Sequence, residues 1–253
     1  MMHVNSQSIL NKIRQQSPLV HNITNYVVMN NTANALLAIG ASPVMAHSKE
    51  EVEDIVSISS SLVINMGTLS KPWVEAMLLT VKKAKKLNIP YVFDPVGIGA
   101  SSYRITSAQD IIASAIPQVI RGNASEIAAL AEVSHTSKGV DSTMASKDVI
   151  SAAQELSENL NNTIVISGET DYVITKNQVT EITGGDILMS KVTGMGCTAT
   201  GIIGACLAVE TDAHLASCAA MEIMAEAGSL AAKVSNGPGS FQMHFIDKLY
   251  KIK

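Results

Sequence analysis

Hydrophobic positions along the chain predict short strands that alternate with helices. Short runs of aliphatic and β-branched residues are typical of buried strands, whereas apolar residues that recur every three or four positions are typical of amphipathic helices. The predicted strands are residues 42–45, 62–65, 91–94, 118–121, 163–167, 171–175 and 178–182. The predicted helices are residues 25–39, 49–57, 71–87, 125–131, 147–160, 196–209, 214–233 and 241–252.

This alternation predicts an α/β fold with a mostly parallel central sheet and helices on both of its faces. Gly40 suits the left-handed position that ends a helix, and Pro72 suits the first turn of a long helix. Residues 171–175 and 178–182 are predicted to pair antiparallel. Because the chain shows no repeat, linker or low-complexity segment, we expect a single domain over residues 1–253.

Composition narrows the class of protein. Apolar residues make up 47% and charged residues 16% of the chain, which provides a large core and argues against disorder. With a net charge of −4 and no basic stripe, the chain is not expected to bind nucleic acid. Its three cysteines lack metal-ligand spacing and favour a reducing compartment. There is no apolar signal core, and stretches such as 201–209 are too short to cross a bilayer, so we expect a soluble cytoplasmic protein without a membrane partner.

Open parallel sheets bind ligands at the carboxyl ends of their strands. In this chain the positions after the predicted strands are rich in glycine and polar residues, which directs attention to that edge. The segments concerned are Met45 and residues 65–67, 94–97, 121–123, 167–168 and 194–197.

The strongest of these segments is the turn from Gly194 to Cys197. Gly194 and Gly196 directly precede an apolar helical segment, and glycines let backbone N–H groups converge on an anion. The helix N-terminus adds partial positive charge. The turn therefore predicts an anion hole for a transferring phosphoryl group. A plain strand-to-helix turn is the alternative, because two glycines one residue apart are a weak signal on their own.

Three charged residues at the same edge suit phosphate chemistry. Asp94, followed by Pro95 and Gly97, suits a carboxylate that holds Mg²⁺ through a water molecule. The alternative is that Asp94 caps a turn. Arg121 suits a clamp on phosphate oxygens. Glu126 suits a metal-linked carboxylate, although acids in a first helical turn also interact favourably with the helix dipole.

The other candidates have both a binding and a structural interpretation. The turn that contains Ser167 and Asp171 suits a nucleotide contact or is an ordinary polar turn. Asn25 suits a helix cap or a substrate pocket. Met45 suits the core or the face of a flat aromatic ligand.

Six ordered stretches, taken together, resemble the hydroxyethylthiazole kinase family from about Leu10 to the end of the chain. They are residues 18–25, 40–45, 65–69, 93–97, 121–126 and 194–197. The resemblance implies a ribokinase-like fold and ATP-dependent phosphorylation of 4-methyl-5-(2-hydroxyethyl)thiazole in thiamine salvage. It also implies a homotrimer whose thiazole sites lie at subunit interfaces.

The resemblance also implies a role for individual residues. The thiazole site would be lined by Asn25, Met45 and Gly194. ATP would be contacted by Arg121 and Ser167, with Asp171 nearby, and Mg²⁺ would be handled by Asp94 and Glu126, largely through water. The family more often has Thr where this chain has Met195, and often Thr in place of Ser167, so the substrate pocket is less closely specified than the reaction.

Related sugar kinases place an Asp general base where this chain has Cys197. A helix N-terminus can lower the pKa of a thiol, so we expect Cys197 to orient the substrate hydroxyl and to accept its proton late in the transfer. A structural cysteine is the alternative. Other activities remain open: a pyridoxal or hydroxymethylpyrimidine kinase, a nicotinamide nucleotide hydrate dehydratase (which carries Asp at this position), and a nucleotide-binding scaffold without turnover.

Overall fold

The computed structural model of the protein describes residues 4–134 and 146–252. Its strands are β1 (Leu19–Ile23), β2 (Ser42–Val44), β3 (Ser61–Asn65), β4 (Tyr91–Asp94), β5 (Val119–Asn123), β6 (Thr163–Ser167), β7 (Thr170–Thr175) and β8 (Gln178–Thr183). They form one sheet in the order β2-β1-β3-β4-β5-β6-β7-β8. The six strands from β2 to β6 in that order are parallel, and β7 pairs antiparallel with both β6 and β8.

Helices cover both faces of this sheet. They are α1 (Val4–Gln16), α2 (Met29–Ile39), α3 (Val52–Ser57), α4 (Lys71–Leu87), α5 (Ser102–Ser114), α6 (Ala124–Ser134), α7 (Ser146–Leu160), α8 (Met195–Leu207), α9 (Ala213–Ala232) and α10 (Pro238–Lys251). Short 3-10 turns occupy Ile98–Ala100 and Ile187–Lys191. The predicted α/β architecture is confirmed, including the antiparallel hairpin of β7 and β8.

Alternation along the strands divides the apolar side chains between two cores. Val63, Val92 and Val165 face a core shared with α1, α2, α8, α9 and α10. Their strand neighbours, such as Leu62 and Phe93, face a second core shared with α3 to α7. Successive strand residues point to opposite faces, so a strand buried on both sides is apolar along its middle, as residues 62–64 of β3 and 91–93 of β4 are.

The pattern did not predict three elements, namely α1, α5 and β1. The short strand β1 is interrupted by polar His21 and Asn22, which are nevertheless fully buried. Helix α5 buries only Ser107, Ala108 and Ile111, so it has no strong apolar stripe. Helix α2 begins at Met29 rather than at residue 25, which leaves the segment before it free to form a turn at the carboxyl edge of the sheet.

Helix α8 lies unusually close to the sheet. A Cβ atom on Gly204 would come within 2.6 Å of Val63 Cγ2, and the Ser61 hydroxyl donates a hydrogen bond to the Gly204 carbonyl at 2.7 Å. Only a residue without a side chain allows this approach. The small residues of α8 therefore set how its N-terminus meets the ends of the neighbouring strands.

The expectation that every apolar stretch is too short to cross a bilayer does not hold for α9. By length and composition alone, this helix qualifies as a membrane span. More than half of its apolar window is buried inside the protein, however, and it packs against α1, α8 and α10. These contacts are those of a core helix.

Candidate active site

Polar residues gather at the carboxyl edge of the sheet, as the sequence predicts. Asn65 ends β3 directly beside Asp94 at the end of β4, and the two residues are partners in the strand register. Arg121 lies in β5, next to β6, which ends at Ser167. The N-terminus of α8 lies next to these residues, so the ends of four neighbouring strands, β3 to β6, meet the end of one helix.

The entrance to α8 has the backbone geometry of an anion site. Gly194 has a φ of +86°, and a Cβ atom there would lie 2.7 Å from Val28 Cγ1. The first intrahelical bond runs from the Thr198 N–H to the Gly194 carbonyl at 2.8 Å. Helix geometry therefore leaves the N–H groups of residues 195–197 without an intrahelical acceptor, and they offer an anion three donors at the positive end of the helix dipole.

Asp94 is fully buried at the centre of the gathering. Its Oδ2 accepts hydrogen bonds from Asn65 Nδ2 at 2.9 Å and from Thr200 Oγ1 at 2.7 Å, and it lies 3.5 Å from Arg121 Nη1. Among the described residues, its Oδ1 has no hydrogen-bond partner. Burial raises the pKa of Asp94 to about 6, against the opposing effect of the Arg121 cation.

Arg121 lies beneath the entrance to α8. Its guanidinium donates to the Ser167 hydroxyl through Nη2, and a Cβ atom on Gly196 would lie 2.4 Å from its Nη1. The second glycine of the turn is therefore needed for close approach to a cation. A buried cation and three N–H groups without an intrahelical acceptor lie at the same helix entrance, which suits an anion with several oxygens, such as a phosphate.

Cys197 lies on the first turn of α8, where its sulfur meets two amides. Sγ accepts hydrogen bonds from Asn65 Nδ2 at 3.2 Å and from Asn25 Nδ2 at 3.5 Å. Burial, together with the Asp94 carboxylate, raises the pKa of the thiol to about 11, against the opposing effect of the hydrogen bond from Asn65. The expectation of a lowered thiol pKa is therefore wrong for this structure, because burial outweighs the hydrogen bonds and the Arg121 cation that lower it. Cys197 is a protonated thiol at neutral pH.

Glu126 ties two loops of the site together. Its Oε1 accepts from the Gly97 N–H at 2.8 Å, and its Oε2 accepts from the Asn123 N–H at 2.9 Å. The Asn123 side chain in turn accepts from the Glu126 N–H at 2.9 Å, which makes a reciprocal cap at the start of α6. This carboxylate has a structural role, and the lone pairs left over on its oxygens can still face a water-bound cation.

Asp171 and Met45 occupy the two flanks of the site. Asp171 accepts a hydrogen bond from the Gly168 N–H at 2.9 Å, so it shapes the turn after Ser167, and burial raises its pKa. Met45 directly follows β2, the strand at the other end of the sheet, and is half-buried. It lies two strands away from β3, so Met45 is at the same edge but outside the hydrogen-bonded group around Cys197.

Comparison with known proteins identifies the family. The model of the hydroxyethylthiazole kinase family matches residues 10–253. A hydroxyethylthiazole kinase from Syntrophus aciditrophicus is 49% identical over 249 residues, which cover 98% of this chain and 92% of that protein. The chain belongs to the hydroxyethylthiazole kinase family.

Solved structures agree with this assignment. The structure of a hydroxyethylthiazole kinase from Pyrococcus horikoshii matches with a TM-score of 0.90 and 35% identity, over 98% of this chain and 93% of that one. A ribokinase-like protein from Enterococcus faecalis matches with a TM-score of 0.68 at 15% identity, over 99% and 98% of the two chains, which shows a shared fold. The hydroxyethylthiazole kinase family and the ribokinase-like fold implied by the six ordered stretches are therefore confirmed.

Three residues of this kinase site were given no role from the sequence. Asn65 was noted only as part of a strand end, yet it joins Asp94 to Cys197. Thr200 lies three residues after Cys197, so helical spacing alone would place it on the same side of α8. Arg104 donates to the carbonyls of Met66, Val96 and Gly67, and it lies in α5, the helix whose pattern was too weak to predict.

Proposed function

We propose that the protein transfers the γ-phosphoryl group of ATP to the hydroxyl of 4-methyl-5-(2-hydroxyethyl)thiazole, a step of thiamine salvage. The observation that carries the proposal is the entrance of α8, where the Arg121 guanidinium lies against Gly196 and three N–H groups are left for an anion. Membership of the hydroxyethylthiazole kinase family supports the choice of substrate. Phosphoryl transfer depends mainly on positioning and charge stabilisation, which this arrangement can supply.

On the ATP side, Arg121, Ser167 and Asp171 would bind the nucleotide. Arg121 is already held by Ser167 and by Asp94, so its cation is fixed in place before ATP arrives. A guanidinium held in this way loses little entropy when it binds phosphate oxygens. Asp171 contributes by shaping the turn through its bond to Gly168.

On the acceptor side, Asn25, Met45 and Gly194 would line the thiazole pocket. An aromatic group beside them supports a flat ligand: the rings of His47 and Trp73 stack with centroids 4.1 Å apart, and Tyr26 meets Trp73 edge-on at 4.5 Å. Tyr26 itself is 65% exposed. An exposed aromatic residue next to Asn25 fits a site completed by a neighbouring subunit, in line with the proposed homotrimer.

The residues present fit a Mg²⁺ ion that keeps most of its water. Asp94 has an unpartnered buried oxygen among the described residues, and Glu126 has two oxygens fixed by backbone N–H groups. Across residues 4–134 and 146–252 no group of three or more His, Cys, Asp or Glu side chains forms a metal cage, as expected for an ion bound mainly by phosphates and water. Asp94 and Glu126 would hold it, and the ion would neutralise charge on the ATP phosphates.

During transfer, the N–H groups of residues 195–197 and the Arg121 cation would stabilise charge on the moving phosphoryl group. Cys197 would orient the acceptor hydroxyl. Because its thiol is protonated at neutral pH, only the small fraction present as thiolate could accept the proton of the hydroxyl, and that proton would then replace the one the thiolate lacks. The sharing of Asn65 between Cys197 and Asp94 keeps the sulfur beside the anion site.

The alternative activities are less well supported. A nicotinamide nucleotide hydrate dehydratase resembles this chain in fold but would carry Asp in place of Cys197, and the family match runs over residues 10–253. We further propose that residues 1–253 form one kinase domain in the cytoplasm, without nucleic-acid or membrane partners. Light scattering after size-exclusion chromatography tests the trimer, which should have three times the 26.7 kDa mass of the chain.

A coupled assay of ADP release tests the function. Each acceptor is supplied with ATP and Mg²⁺: the thiazole alcohol, pyridoxal, hydroxymethylpyrimidine or none. We expect ADP release that depends on the thiazole alcohol and that stops when EDTA is added. Folded protein that binds ATP but releases no ADP with the thiazole would exclude the proposed activity, and release without any acceptor would indicate an ATPase.

A further inference from the structure

The side chain of Asn65 uses all of its hydrogen-bonding capacity at the centre of the site. Its Oδ1 accepts from the Gly67 N–H at 2.9 Å and from Asn25 Nδ2 at 2.8 Å. Its Nδ2 donates to Asp94 Oδ2 at 2.9 Å and to Cys197 Sγ at 3.2 Å. A side-chain amide has two N–H groups and two lone pairs to offer, so every one is engaged. With 1% of its surface exposed, Asn65 meets protein on all sides.

These partners fix which way the amide points. A backbone N–H at Gly67 can only donate, so the atom of Asn65 that faces it must be the carbonyl oxygen. On the opposite side, Asp94 Oδ2 already accepts a hydrogen bond from the Thr200 hydroxyl and lies near the Arg121 cation, so it is an acceptor for Asn65 as well. Reversing the amide would lose favourable bonds at both ends, so the donor side must face Asp94 and Cys197.

The orientation of Asn65 determines what surrounds the sulfur of Cys197. One donor to Sγ is Asn65 itself, and the other is Asn25, whose nitrogen is held by Asn65 Oδ1. Both donors therefore depend on a single side chain. With two N–H groups directed at it, the sulfur is held as a hydrogen-bond acceptor on its protein side, so its own proton must point elsewhere.

We propose that Asn65 is a positioning residue that fixes Cys197 Sγ as a hydrogen-bond acceptor, both directly and through Asn25, and aligns it with Asp94. The kinetic consequence rests on the proposed kinase function, whereas the effect on the sulfur does not. On this proposal the effect of Asn65 on turnover runs mainly through Cys197, so its removal should lower kcat much less when the thiol is absent.

A double-mutant cycle tests the kinetic part of the proposal. We expect Asn65→Ala to lower kcat about 10- to 100-fold, with a smaller change in the KM for ATP, because a misplaced reacting group mainly costs turnover. In a Cys197→Ala background the same substitution should lower kcat less than about twofold, because contacting residues are not additive. Full multiplication of the two losses would overturn the proposal.

Alkylation of the thiol tests the geometry without any kinase activity. Asn65→Asp keeps the size of the side chain and the oxygen that faces Gly67 and Asn25, but it replaces the nitrogen. A carboxyl group that shares one proton with Asp94 has none left for sulfur. Without the N–H donor at position 65 the thiolate of Cys197 is less stabilised, so iodoacetamide should modify Cys197 at least about tenfold more slowly, read by mass spectrometry of its peptide.

Asn22→Asp is the matched control. Asn22 is fully buried in β1, and its Nδ2 donates to the Val20 carbonyl at 2.9 Å. It makes the same exchange of an amide for a carboxyl group in a neighbouring strand, and the alkylation rate of Cys197 should stay within about twofold of that of the unchanged protein. Equal rates in the Asn65→Asp and Asn22→Asp proteins would overturn the proposal. If Asn65→Asp does not fold, the Asn65→Ala cycle decides. If the unchanged protein shows no thiazole-dependent turnover, the proposed function fails while the alkylation comparison still stands.

Discussion

Substitution of Gly196 by alanine should specifically weaken the binding of ATP. A Cβ atom at this position would lie 2.4 Å from Arg121 Nη1, 2.7 Å from Nη2 and 2.9 Å from Cζ. Gly196 is in a helix, so alanine suits its backbone, and the three atoms nearest to the added Cβ all belong to the guanidinium. Arg121 must then move away by about 1 Å to reach an ordinary contact distance.

The size of the effect follows from the hydrogen bond to ATP that a displaced Arg121 would lose. It donates to the Ser167 hydroxyl and lies 3.5 Å from Asp94 Oδ2, and both contacts hold it beneath the entrance to α8. Hydrogen bonds to charged groups are worth about 1.5–3 kcal/mol each. If one such bond to a phosphate oxygen is lost, the KM for ATP should rise about 10- to 150-fold. The Tm should fall little, because alanine favours the helix.

Steady-state kinetics with ATP varied at saturating thiazole measures the effect, and isothermal calorimetry with a non-hydrolysable ATP analogue separates binding from turnover. Gly99→Ala is the matched control, because a Cβ atom there would meet Ala129 Cβ at an ordinary 3.6 Å. Gly196→Ala with the affinity for ATP of the unchanged protein would refute the reasoning, since it would mean that Arg121 does not reach the phosphates.

Three further predictions concern stability and pH. Gly204→Ala should lower the Tm by several degrees, because its Cβ atom would overlap Val63 Cγ2 and overpacking costs about 1–3 kcal/mol, whereas Gly239→Ala, with nothing within 4 Å, should not. Because the folded pKa of Asp94 is raised to about 6 from 3.8, its contribution to stability is present below pH 3.8 and is lost as the pH rises through 6. The Tm should therefore fall, and kcat should rise, as the pH increases from 3.8 through 6. Asp94→Asn should flatten the plot of Tm against pH. Plots of equal slope for this variant and the unchanged protein would contradict the prediction. Arg104→Lys should lower kcat and Tm together, because an ammonium group lacks the planar fork with which the guanidinium bonds the three carbonyls. An unchanged kcat would show that Arg104 does not position the site.

Sequence reasoning could locate the site because it depends on a general property of parallel sheets. The carboxyl ends of parallel strands lie at one edge, so Asp94 and Arg121, each placed near a predicted strand end, were both expected at that edge. The glycines at 194 and 196 marked the helix entrance that meets them. None of this required knowledge of strand order, which is why the gathering was predictable although β1 and α5 were missed.

The individual contacts could not be predicted from the sequence, because they depend on the register of the strands and on how deeply each side chain is buried. That Asn65 stands beside Asp94 follows from the pairing of β3 with β4, which no local pattern reveals. That Cys197 has a raised pKa follows from burial beneath the turn that carries Asn25, 172 residues away along the chain. The prediction from the sequence considered only the helix dipole, which lowers the pKa of a thiol. It left out desolvation by burial, which has the largest effect on the pKa of Cys197.

The raised pKa gives the substitution Cys197→Asp a definite expected outcome. With a pKa of about 11, roughly one thiol in ten thousand is ionised at pH 7. A carboxyl group starts from about 3.9, and even a rise of several units beside buried Asp94 leaves a far larger ionised fraction. The N–H donors of Asn65 and Asn25 suit a carboxylate as well as a sulfur.

If position 197 accepts the proton of the substrate, Cys197→Asp should therefore retain kcat at pH 7, whereas Cys197→Ser should lose about 10²- to 10⁴-fold, because a hydroxyl is a far weaker base. The pH dependence separates the two groups: kcat of the unchanged protein should still rise above pH 9, and that of Cys197→Asp should already be level. A fully active Cys197→Ser protein beside an impaired Cys197→Asp protein would show that the residue orients the acceptor hydroxyl and takes no proton.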